Sequence, residues 1–99
     1  MLRHIITWKL AADDVATRLE DSATISAALQ GLVPLIPEIH SLTVSTNVVD
    51  LETNWDLVLV ADYADEAALR TYIAHPEHQR VVGIIRPLVA QRAAVDFAV

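Results

Sequence analysis

The chain has 99 residues, 54% of them hydrophobic and 20% charged, with a formal net charge of −6 and no cysteine. That length allows one domain with one core. The missing cysteines exclude disulfides, thiolate catalysis and Cys-ligated zinc, and the acidic balance, with Lys9 as the only lysine, argues against nucleic acid or an anionic membrane as partner.

So apolar a composition in so small a chain predicts a face covered by something else. A second copy is the simplest cover, since a two-fold homodimer needs only one self-complementary patch. Met1-Leu2-Arg3-His4 runs directly into an alternating segment, and no apolar run approaches the roughly 18 residues of a bilayer span. The expectation is a cytoplasmic protein without a signal peptide or membrane segment.

Residues 3–10 are rich in β-branched and aromatic side chains and read as a strand, with His4, Ile6, Trp8 and Leu10 on one face and Ile5 on the other. Asp13-Asp14 then caps a long amphipathic helix whose apolar arc takes in Val15, Leu19, Ile25, Leu29, Leu32 and Val33, with Ser22 in the same stripe. Gly31 and Pro34 end it. Residues 39–48 alternate as a second strand, and 47–54 form a polar loop. Residues 55–63 make a third strand, apolar on both faces and hence covered on both sides. Asp65 caps a short helix carrying Leu69, Tyr72 and Ile73; Pro76 breaks it and starts another, in which His78, Val81, Val82 and Ile85 stand at i, i+3, i+4, i+7. Pro87 ends that helix, and 93–99 close the chain as a strand.

The order β-α-β-β-α(α)-β predicts a ferredoxin-like α+β protomer, a four-stranded antiparallel sheet with helices on one face. Pairing of two bare sheet faces gives a dimeric α/β barrel. Ile5, Leu57, Leu59 and Ala61 are the expected interface, and Val58 and Val60 are expected to face the helices with His4.

Several segments together resemble the stress-responsive dimeric α/β-barrel (Dabb) family. They are Leu2-Arg3-His4-Ile5-Ile6, Ile36-Pro37-Glu38-Ile39, the Trp55–Tyr63 strand, Tyr72-x-x-His75-Pro76-x-His78 and Arg92-x-x-Val95-Asp96-Phe97. One branch of that family, the plant polyketide cyclases, uses a tyrosine and a histidine for acid/base work without a cofactor. The resemblance implies those roles for Tyr72 and His78, with His4 in the same pocket; where that branch has a strand-three histidine, this chain has Asp56. Imidazole and phenol suit the tasks, a base near neutrality and a donor for a developing enolate.

The expected pocket lies between sheet and helices, lined by Ile6, Trp8, Val58, Val60, Ile73, Val81 and Val82. In it His78 should reach the Tyr72 hydroxyl or the His4 ring by a hydrogen bond, directly or through one water. His75 and Pro76 read as a structural junction. No metal is expected, because Pro76 separates His75 from His78 and the pair lacks the i,i+4 register of helical ligands. No cofactor is expected either: Gly31 and Gly83 are the only glycines, too few for a phosphate-cradling loop. Three classes of function remain open: a cofactor-independent enzyme (cyclase- or lyase-like) on a small carbonyl or polyketide-like substrate; a stress-related module that holds an apolar or aromatic ligand without turning it over; and, by fold analogy, a cofactor-free monooxygenase.

Overall fold

The computed structural model describes residues 1–99 as β1 (Leu2–Leu10), α1 (Val15–Gln30), β2 (Ser41–Thr46), β3 (Leu57–Tyr63), α2 (Glu66–Ala74), α3 (Pro76–Ile85), a 3-10 turn (Arg86–Leu88) and β4 (Val89–Ala98). The four strands form one antiparallel sheet in the order β2-β3-β1-β4. This is the ferredoxin-like arrangement, and the three helices lie on one side of it. β4 begins four residues earlier than its composition indicates, because pairing with β1 extends it back to Val89.

Local chemistry sets the helix ends. The Asp14 carboxylate accepts the Thr17 N–H and hydroxyl, both at 2.9 Å, which caps α1. Asp65 caps α2 in the same way, accepting the Ala68 N–H at 2.9 Å. His75 has φ −61° and ψ 136°, the extended conformation required of a residue before proline, so the chain turns between α2 and α3. Its ring then serves the new helix, its Nδ1 accepting the Glu77 N–H at 3.1 Å.

The core stripe of α1 runs through Ser22, Ile25 and Leu29 and continues into the following turns as Leu32, Ile36 and Ile39. Val15, Leu19 and Val33 lie outside it, 36%, 51% and 43% exposed. The arc drawn from the sequence was too broad, because Ser22 marks its centre and the valines and Leu19 its margins.

Strand register assigns the sheet faces. Residues directly opposite one another across a ladder project to the same side. β1 pairs with β3 through Ile6↔Leu59, His4↔Ala61 and Trp8↔Leu57, so all six face the helices. Leu57, Leu59, Ala61 and Tyr63 are buried there, not at the open face where an interface was expected for the first three. Val58 and Val60 take the reverse correction. They pair with Thr7 and Ile5 and lie on the open face, away from the helices. The physical cause is that both faces of β3 are apolar at the centre, so alternation alone carries no polarity.

The open face is therefore a grid. Ile5 lies between Val60 and Val95, Thr7 lies between Val58 and Ala93, and Arg3 has Asp62 on one side and Phe97 on the other. Val95 and Phe97 are 62% and 39% exposed. At one end Arg3 makes a two-pronged ion pair with Asp62, at 2.8 and 3.0 Å. The guanidinium holds the Asp62 carboxyl below its ordinary range.

Candidate functional site

On the helix side, α2 and α3 leave a cavity of about 340 Å³ against β1, β3 and β4. Its floor is apolar: Ile6 and Trp8 from β1, Leu59 from β3, Leu29 from α1 and Ile85 from α3. Tyr72 and Ile73 of α2 and His78, Gln79 and Val82 of α3 supply one wall, while Arg86, Val89 and Arg92 complete the lining. Ile6, Trp8, Tyr72, Ile73, His78 and Val82 are thus gathered around one space. Val58 and Val60 are absent from it for the reason of register given above. Val81 is fully buried in the core beneath and does not border the cavity. His4 is buried at the neighbouring end of the sheet and does not line it either.

The break at Pro76 puts His78 in the first turn of α3, close to the last turn of α2. Its Nδ1 lies 3.0 Å from the Ile73 carbonyl oxygen, which can only accept, so Nδ1 carries the proton. The same oxygen accepts from the Gln79 amide at 2.7 Å. The ring is thereby held in one tautomer with Nε2 bare, and no protein group engages that nitrogen. The rings of His78 and Tyr72 have their centres 4.5 Å apart and are tilted at 53°. No direct hydrogen bond joins His78 to the Tyr72 hydroxyl or to His4, so the direct form of the expected link is not made; the one N–H of the ring goes to the Ile73 carbonyl.

Electrostatics push the two groups in opposite directions. Burial holds the His78 imidazole below its ordinary value of 6.5; the Ile73 carbonyl works against this, and the charges of His4, Arg92 and His75 add to the depression. Burial raises the Tyr72 phenol above 10.0. At neutral pH the imidazole is an unprotonated base and the phenol a protonated donor.

Behind Tyr72 stands a second layer that the sequence did not single out. Tyr63 is fully buried with its ring 5.0 Å from Tyr72 and 6.3 Å from His4. Burial drives its phenol strongly upward, with Tyr72 and Asp96 adding to the effect, yet no hydrogen bond of ordinary geometry reaches its hydroxyl. His4 in turn donates from Nδ1 to the Asp96 carboxylate, across the β1–β4 ladder in which the two are direct partners. Asp96 was visible in the sequence only within the closing Arg92-x-x-Val95-Asp96-Phe97 segment; its partnership with His4 depends on register. Asp56 accepts the Leu10 N–H at 2.8 Å and lies outside the cavity. No group of three or more His, Asp or Glu side chains comes together as metal ligands would. No helix is long and apolar enough to cross a membrane.

Fold and site together define a ferredoxin-like α+β protein with an apolar, histidine- and tyrosine-bearing cavity under its helices. The sequence model of the stress responsive A/B barrel domain matches residues 2–99, and the chain belongs to that family. Among curated proteins, none matches it by sequence. Among solved structures, a dimeric ferredoxin-like protein of unknown function from Thermobifida fusca shares 32% identity at a TM-score of 0.81, over 99% of this chain and 90% of the other. A dimeric protein of unknown function from Bacteroides fragilis shares 25% identity at 0.88, over 97% and 93%. The hydroxynitrile lyase of Passiflora edulis superposes at 0.71 over 97% and 90%, but at 11% identity the likeness is one of fold.

Proposed function

We propose that the protein is a homodimer whose protomers each use the cavity for cofactor-independent acid/base chemistry on a small, largely apolar carbonyl compound. The observation that carries this is the His78 tautomer. A ring pinned through Nδ1–H, with Nε2 bare and its protonation suppressed, is a base ready at neutral pH beside a phenol that stays protonated. Nε2 removes a proton from the carbon next to the carbonyl, and the Tyr72 hydroxyl donates to the oxygen on which charge develops. His4 and Asp96 act from the second layer, holding the Tyr63 and Tyr72 end of the cluster in place. A positioned pair of this kind contributes roughly 10²–10⁴-fold.

The dimer rests on the open face. Ile5, Val58, Val60, Val95 and Phe97 form an apolar field that no helix of the chain covers, and a self-complementary sheet face closes under a two-fold axis. The Thermobifida and Bacteroides structures are both of dimeric proteins.

The test is deuterium exchange at the carbon beside the carbonyl of small aromatic ketones, followed by NMR in D₂O. The wild-type protein is expected to accelerate exchange without oxygen uptake, and His78→Ala and Tyr72→Phe to abolish the acceleration while sedimenting as the wild type does. Exchange that persists unchanged in His78→Ala overturns the assignment.

A further inference from the structure

The cavity carries a charge signature that the acid/base pair does not use. Four of the six arginines have a carboxylate within 4.0 Å: Arg3 with Asp62, Arg18 with Glu52 and Asp56, Arg70 with Glu66 and Arg80 with Glu77. The two without one are Arg86 and Arg92, and both line the cavity. No aspartate or glutamate lines it with them, in a chain holding 13 acidic residues against 7 basic ones. Arg86 follows α3 directly, where the negative end of the helix dipole favours a cation. That accounts for its charge but not for Arg92, which reaches the same space from β4.

Both arginines are exposed, Arg92 directly across the ladder from Trp8 and Arg86 next to Ile85, while the buried Ile6, Trp8, Leu29 and Ile85 form the apolar floor beneath them. An occupant matching this gradient has an apolar body and an anionic end. A guanidinium presents paired N–H donors in a plane, the complement of a carboxylate. We infer that the cavity selects small apolar carboxylic acids as their anions, with the exposed Arg86 and Arg92 receiving the carboxylate and the body lying on the buried apolar floor, in the space that His78 and Tyr72 also line. This rests on the cavity being the ligand site, as proposed above, and adds the class of molecule. The mouth stays clear of the proposed dimer, because Ile6, Trp8, Leu59 and Arg92 all belong to the helix side of the sheet.

The experiment compares octanoate with 1-octanol, probes of similar length that differ in the charged end, by NMR titration of the ¹⁵N-labelled protein at low salt. The Trp8 indole N–H reports entry. Octanoate is expected to shift that signal and to bind roughly ten-fold more tightly than octanol, the scale of two partly exposed charge contacts. The preference should shrink as salt is added. In Arg86→Gln/Arg92→Gln it should disappear, with octanol binding unchanged. Equal affinity for the two probes in the wild type, or a preference for octanoate that survives in the double variant, overturns the carboxylate assignment and leaves the cavity as an apolar site. Entry of neither probe overturns the cavity as a ligand site altogether. Loss of proton-exchange activity in His78→Ala is read separately, so failure of the carboxylate assignment is told apart from failure of the acid/base proposal.

Discussion

The chemistry at His78 depends on one backbone oxygen. Ile73 lies in the last turn of α2, one residue before its end, where the chain turns at His75-Pro76, and its carbonyl accepts from Nδ1. The suppressed protonation has a consequence for stability. Well above pH 6.5 the imidazole is neutral in the folded and the unfolded chain alike and contributes no pH dependence. As pH falls through 6.5 the unfolded chain takes up a proton that the folded protein resists, so stability declines until the lower folded value is passed. Urea denaturation midpoints measured from pH 7 downwards should therefore fall less steeply in His78→Gln than in the wild type. Identical slopes would show that the ring is not held neutral. The family resemblance made His78 a candidate and its position on an apolar stripe turned it towards the core, but the tautomer is a property of the turn and could not be read from composition.

At the scale of elements, the junction between α2 and α3 does most to build the site. Pro76 supplies a preset first turn for α3 and forces His75 into an extended conformation, which leaves the His75 ring free to cap the new helix. That cap also sets the rotation of α3, and hence where His78 and Gln79 converge on Ile73. His75→Ala should cost about 1 kcal/mol in thermal or chemical unfolding, the usual cost of a lost N-cap, and His75→Asn should recover most of it. A role confined to capping predicts that the asparagine variant also recovers activity. Recovered stability with lost turnover would instead place the imidazole itself in the chemistry. The junction was legible beforehand, because the restriction imposed by proline is local. The His4–Asp96 link was not: it joins strands 92 positions apart.

For the whole molecule the deciding feature is which side of the sheet each residue of β3 serves. Leu59 and Val60 are adjacent, similar in character, and opposite in consequence. Leu59 is fully buried under the helices, so Leu59→Ala should destabilise the protomer by about 2–5 kcal/mol, seen as an earlier unfolding midpoint. Val60 lies on the open face beside Ile5, where in the proposed dimer a charge would be buried between the two sheets. Val60→Glu should therefore leave circular dichroism unchanged and give a monomer on sedimentation. A stable dimer in Val60→Glu would move the interface elsewhere, and an unfolded Val60→Glu would mean that the protomer needs its partner to fold.

Periodicity, caps and proline positions by themselves determined the element order, the ferredoxin-like class, the alternation of β1 and the gathering of Tyr72 and His78 near one another. Those features follow from forces that act within a few residues: the pitch of a helix, the pleat of a strand, the restriction before proline. Only the tertiary structure decided the orientation of β3, since a strand apolar on both sides has no local preference and takes its facing from register with β1. Register likewise decided that Asp96 answers His4, and the return of β4 decided that Arg92 joins Arg86 in a cavity lining that holds no carboxylate. Pairings across the sheet are set by the sum of the packing, and no single segment encodes them.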